Sequence, residues 1–176
     1  VYQEVRLPQT FSWDHMPTLL TLRLELRALV LNDHDDLFAI YGDPKVMQFT
    51  SDPTFPDGTY INQLFVSVER LFAEQQALLW GVALRDTGRI VGTCELHSFE
   101  PDDRRAEIGC MLARAYWGRS LMREALTAVI EFGVGNLGLA TLRADIDVPN
   151  AQSRALFQRL GFQSVVGSPT LFELQA

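Results

Sequence analysis

The chain has 176 residues, 47% of them hydrophobic and 21% charged, enough apolar surface to offset the ordering entropy of one domain and too much for a disordered, collagen-like or low-complexity chain. Twenty-two acidic against 15 basic residues leave a formal charge of −7, the wrong sign for a partner such as nucleic acid or an anionic membrane. No apolar run reaches the ~18 residues needed to span a bilayer, and the first 18 residues lack the blocks of a secretory signal, so a cytoplasmic protein is expected.

Residues 1–18 read as an N-terminal extension and residues 19–176 as a single domain without internal repeat or dividing linker. Leu20, Leu22, Leu24 and Leu26 alternate with Thr21, Arg23, Glu25 and Arg27, the period of a strand with one wet face. Asn32 and Asp33 can cap a helix that runs through Leu37 and Ile40 to Gly42, and Asp43-Pro44 starts a further helical turn. The Pro- and Asp-rich stretch 50–58 is a loop. After it Ile61, Leu64, Phe65, Val68, Leu71 and Phe72 recur at helical steps. Strands over 78–85 and 89–99 are joined by Asp86-Thr87-Gly88, a hairpin whose glycine takes positive φ. The polar run 100–104 turns the chain into a third strand over 105–112. The order then switches to a helix over 120–132 that Gly133, Gly135 and Gly138 break, a strand over 140–147, a helix between Asn150 and Gly161, and two short strands over 162–166 and 170–174.

Two segments offer chemistry. Residues 112–120 lead from a strand into a helix, whose first amides have no internal partner and favour an anion. Gly118 and Ser120 keep that approach small, and Arg114 and Arg119 add charge; a pyrophosphate fits there, though so does a plain structural turn. In the second segment Asn150 caps a helix, Ser153 follows three positions later, and Gly161-Phe162 end the helix and plug the core. Cys94 and Cys110 lack any CxxC or Cys/His metal spacing, so no metal is expected and both read as small buried hydrophobes.

The Asn150, Ser153 and Gly161-Phe162 spacing, about 30 residues after a Gly-containing anion loop, resembles the GNAT acetyltransferase superfamily. Residues 22–27, Ala106-Glu107-Ile108-Gly109 and Tyr116-Trp117-Gly118 look like its RimJ/RimL-type branch. The resemblance implies an α/β (α+β) fold with a mixed central sheet of about seven strands, flanked by about four helices, whose two central strands splay into a V-shaped slot for acetyl-CoA. It implies that the pantetheine arm meets the main chain of Cys110, Met111 and Leu112 and the side chain of Asn150. The pyrophosphate would rest on the amides of Ala115, Tyr116, Trp117, Gly118, Arg119 and Ser120. A bulge at Gly109-Cys110 would free the main chain for that pairing. The sequence departs from the family pattern at Ala115 and Ser120 in the phosphate loop, at Phe157 where relatives often carry Tyr, and in the short connection 166–170.

Acyl transfer to an amine needs a neutral amine, a held carbonyl and a proton for the thiolate. An α-amino group titrates at about 7.7–8.0 and needs only modest help from a base, a lysine at about 10.4 rather more. Glu107 is the leading base, acting through water. A turn at 100–104 sets His97 opposite Glu107, where the two can share a proton or simply form a polar contact on a wet face. In RimJ/RimL-like enzymes the serine at the position of Ser153 protonates the CoA sulfur; a serine that bonds its own helix is the plainer reading. A main-chain N–H near Cys110 or Met111 would hold the acetyl oxygen. The loop 50–58 would wall the acceptor, with Tyr41, Phe49, Phe55 and Tyr60 lining it and Asp52 and Asp57 attracting a cationic amine. The expected partner is a primary amine on a peptide N-terminus or a small molecule, and the expected protein a monomer or homodimer. The alternatives are a CoA sensor without catalysis and a cofactor-free scaffold for protein termini.

Overall fold

The alternating leucines near the N-terminus fold as a hairpin rather than as one strand. In the computed structural model, which describes residues 11–176, β1 (Leu19–Leu20) turns back at residues 21–23 onto β2 (Leu24–Arg27), pairing Leu19 with Leu26. Leu24 and Leu26 are fully buried, whereas Leu20 and Leu22 are 67% and 85% exposed. The turn is fastened from far along the chain: Glu124 accepts bonds from Thr21 Oγ1 at 2.6 Å, Arg23 N–H at 2.8 Å and Arg23 Nε at 2.7 Å.

Three helices follow, α1 (His34–Tyr41), α2 (Pro44–Met47) and α3 (Thr59–Ala73). The Asp43 carboxylate accepts the Lys45 N–H that starts α2. Strands β3 (Ala77–Leu84), β4 (Ile90–Glu100) and β5 (Arg105–Leu112) then form the expected meander, with Gly88 at φ +72° in the first turn. Next come α4 (Leu121–Gly135), β6 (Thr141–Asp145), α5 (Ala151–Arg159), β7 (Gln163–Ser164) and β8 (Leu171–Gln175). Gly133 and Gly135 do not break α4. A side chain at Gly133 would come within 3.3 Å of Leu139, so the glycine lets the chain fold back closely, and Gly138 at φ +67° makes the turn.

Among the described residues eight strands form one mixed sheet in the order β1-β2-β3-β4-β5-β6-β8-β7. The N-terminal hairpin accounts for the strand beyond the seven expected. Fully buried Trp80, Leu126, Leu142 and Phe172 belong to the main core, and Trp80 donates its indole N–H to Pro17 O at 2.7 Å. Phe11 packs edge-to-face on Phe132, and Trp13 on Phe99, so residues 11–17 close one side of that core; residues 1–10 of the expected extension lie outside the described residues.

The feature that shapes the site is short pairing between β5 and β6. They run parallel for three residue pairs only, ending at Glu107 and Arg143, after which β6 stays with β8 and β5 stays with β4.

Asp33, 5% exposed, receives both Arg27 guanidinium N–H groups and the Val30 N–H, each at 2.8 Å. Asp33→Ala strands a largely buried cation and an amide, and should lower unfolding free energy by about 3 kcal/mol in urea titration, with an unchanged denaturant slope.

Candidate active site

Where β5 and β6 part, the β4–β5 ladder decides which main-chain groups face the gap. Ala113 N–H bonds to Val91 O at 2.8 Å, so residues 111, 109 and 107 exchange bonds with 93, 95 and 97, while Cys110 and Leu112 turn their N–H and C=O away from β4. The Trp117 indole takes Leu112 O at 2.7 Å. Cys110 therefore presents its backbone to the gap, and Met111 does not.

The bulge expected at Gly109-Cys110 is not there. The register runs unbroken from Leu112 to Glu107, and its shift falls between His97 and Glu100, where Ser98 has φ +50°. The splay alone exposes the main chain. Gly109 is small for another reason: the Glu95 side chain lies across it, and an added Cβ would sit 2.7 Å from Glu95 Oε1.

Two cavities meet at the gap. The first, about 420 Å³, lies between Leu112, Trp117 and Met122 on one side and Asn150, Ser153 and Leu156 on the other. The second, about 230 Å³, is lined by Glu95, His97, Glu107, Asp52, Asp145 and Asp147 among others, with no Lys or Arg among the described residues. Both are bounded by Phe49, Thr50, Cys110, Met111, Asn150 and Ser153. Asn150 Oδ1 caps α5 by accepting the Ser153 N–H at 3.1 Å, which fixes Ser153 where the cavities join.

The remaining phosphate-loop candidates are less closely grouped. Ala115 and Tyr116 line a separate hollow with Arg89 and Arg114, whose guanidinium groups already pair with Asp36 and Asp43. The Arg119 guanidinium stacks over Tyr116 at 5.3 Å. Gly118 at φ +75° and Ser120 at φ +58° bring the chain into α4, where the Glu124 N–H bonds back to Ser120 O. The earlier amides of α4 thus have no intrahelical acceptor and give that end its partial positive charge. Burial raises the pKa of the Glu124 carboxyl there, but its bonds from Thr21 and Arg23 outweigh burial and hold it below the ordinary value.

The acceptor walls differ from expectation. Phe49 lines both cavities, but Tyr41 and Phe55 stack at 5.1 Å in a second core cluster with Tyr60 packed on Phe55. Asp52 reaches the second cavity, whereas Asp57 is spent on the Thr59 N–H at the start of α3.

His97 and Glu107 face each other as expected, although the turn is one residue shorter, with Glu100 paired to Arg105, and the register shift before it restores the pairing; Nδ1 to Oε2 is 3.9 Å, and His97 Nε2 stands 3.9 Å from Glu95 Oε1. Burial raises the pKa of Glu95; His97 opposes the shift, and Asp52 and Glu107 add to it. Sequence reading missed Glu95, although the pairing of 97 with 107 also places 95 opposite 109, on the same face. Burial pushes the Cys110 thiol up to about 12 and that of Cys94 well above its usual value, so neither is an activated nucleophile.

A family model described as an acetyltransferase (GNAT) domain matches residues 23–163. The uncharacterized N-acetyltransferase p20 of Bacillus licheniformis is 32% identical over 148 residues, 84% of this chain and 83% of p20. The chain belongs to the GNAT acetyltransferase family. It is an acetyltransferase, with acetyl-CoA as its cofactor. In fold it is similar to Mycobacterium smegmatis RimJ in complex with CoA-disulfide, with TM-score 0.79 and 18% identity over 92% of this chain and 88% of that one. It is similar too to spermidine N-acetyltransferase from Vibrio cholerae in complex with CoA and spermine, with TM-score 0.74 and 16% identity over 88% of this chain and 96% of that one. An elongated carrier with amides along its arm and phosphate at its end fits the Cys110 backbone, the first cavity and the start of α4.

A side chain at Gly118 would meet nothing within 4 Å, so the glycine answers to its φ of +75° and not to crowding by the protein. Gly118→Ala should cost about 1 kcal/mol in thermal unfolding and weaken CoA roughly tenfold by calorimetry.

Proposed function

We propose that the chain moves the acetyl group of acetyl-CoA onto a primary amine that enters through the second cavity, a protein N-terminal α-amine being the first reading. The supporting observation is the junction of the two cavities at Cys110, with apolar and amide groups on one side and carboxylates on the other. When bound, acetyl-CoA supplies an acyl group activated as a thioester. In this reading the Cys110 N–H holds the acetyl oxygen, because its neighbour Met111 spends its own N–H on Thr93. Asn150 and Leu112 border the arm, and the amides at the start of α4 with the Gly118 loop take the phosphates. Ser153 Oγ gives a proton to the departing sulfur. The pair His97 and Glu107 collects the proton that the amine loses. Placing amine and thioester together removes much of the barrier without a covalent enzyme intermediate.

A second reading, a small-molecule amine acceptor, is favoured by the small volume and unrelieved acidity of the second cavity, about 230 Å³ without a Lys or Arg in its walls. The spermidine enzyme, alike in fold, is named for an acceptor of this second class. A screen of peptide N-termini and small amines, read as release of free CoA thiol, separates the two readings.

Ser153→Ala and Glu107→Gln should each lower kcat about tenfold or more while CoA affinity by calorimetry stays unchanged. Wild-type kcat in both variants would refute these two assignments.

A further inference from the structure

We infer that Glu95 is the catalytic residue that meets the acceptor ammonium and takes its first proton, with His97 and Glu107 passing that proton outward. The inference rests on the acetyl-transfer reading and adds to it a group that neither the sequence motifs nor the family resemblance single out.

Position is the first support. Glu95 sits opposite Gly109, one residue from Cys110, and its carboxylate lies flat across the glycine, Oε1 2.7 Å from where a Cβ would stand. Glu107 lies two residues further back, at the last position where β5 and β6 still pair and the V is closed. Of the two carboxylates, Glu95 is thus the one beside the point where the cavities join. His97 lies between them, 3.9 Å from each, and its Nδ1 also bonds to Ser98 Oγ at 2.9 Å. Across those distances an imidazole can relay a proton from Glu95 outward through bridging water.

The surroundings give the second support. The groups facing Glu95 are His97 from its own strand, Glu107 and Cys110 from β5, Asp52 from the loop after α2, and Tyr41 from α1. Among the described residues none of these is a permanent cation, and Asp145 and Asp147 complete the acidic wall. An arriving ammonium is therefore the natural counter-charge. Burial, with Asp52 and Glu107 nearby, raises the pKa of the carboxyl from its ordinary value, and His97 opposes the shift.

The ammonium gives one proton to Glu95, and the freed nitrogen lone pair forms the C–N bond to the acetyl carbon as the C–S bond breaks. Ser153 gives its hydroxyl proton to the departing sulfur, and the second proton leaving nitrogen restores Ser153 through solvent. The proton on Glu95 departs through His97, so one proton per turnover reaches the solvent.

Two experiments on the full chain test this. Carboxyl carbon NMR titration of the free protein should show one glutamate titrating above the ordinary range, absent in Glu95→Gln and moved toward the ordinary value in Gly109→Ala, where the Cβ displaces the carboxylate. In thiol-release assays with spermidine, n-butylamine and an alanyl peptide as acceptors, Glu95→Gln should lower kcat/KM about 100-fold or more and remove the acidic limb of the pH profile, while Glu107→Gln keeps that limb. The sign follows from the base acting only when ionised: a raised pKa moves the limb upward in pH. Gly109→Ala should approach the Glu95→Gln loss, and the double variant should fall no further, as expected of two changes to one interaction. Thiol release at wild-type rate and pH dependence in Glu95→Gln, or persistence of the high-titrating carboxyl there, overturns the assignment alone. No thiol release by the wild type with any of the amines overturns the acetyl-transfer reading and this inference with it.

Discussion

Two parallel strands that pair for three residues and then separate are the constraint on which the site depends. Buried main-chain N–H and C=O groups left without a partner are destabilising by about 1–3 kcal/mol each, so a sheet opens in its middle only where something else can complete the ladder. Here β6 is held by β8 through Asp145, and the chain then leaves for α5 with Asn150 as its cap. β5, held by β4 through Leu112, cannot follow it. The gap is thus imposed by the neighbours on either side, and its chemistry is set by the alternation that turns Cys110, and not Met111, toward it.

The two ends of the gap carry opposite electrostatic character. At one end the first turn of α4 offers unpaired amides, and the one acidic side chain of that turn, Glu124, is neutralised by Arg23 and tied to Thr21. At the other end carboxylates gather, with no lysine or arginine among the described residues that line it. The proposed anionic carrier and cationic acceptor would therefore be drawn to different mouths of one slot.

Local chemistry made most of the fold legible. Gly88 in a tight turn, the Asn150 cap and the Gly161 stop each specify their element through short-range physics, and the pairing of His97 with Glu107 follows from one short turn and the register shift beside it. What the sequence hid depends on contacts between distant residues. The N-terminal hairpin looked like a single strand because its clamp, Glu124, lies about a hundred residues away. Gly133 and Gly135 looked like breaks because the close packing of Leu139 on the helix is a tertiary fact. Glu95 went unnoticed because its meaning lies in Gly109 beneath it, and Tyr41 was placed in the acceptor wall because an aromatic beside a helix reads alike in a core and in a pocket.

The outermost strands, β1 and β7, are two residues long. A sheet of eight strands would ordinarily present two long rows of unpaired amides and carbonyls, a template on which another chain could extend the ladder. With so little backbone on offer in either border strand, strand addition there has little to grip, whereas the backbone of Cys110 lies open inside the sheet, where β5 and β6 part.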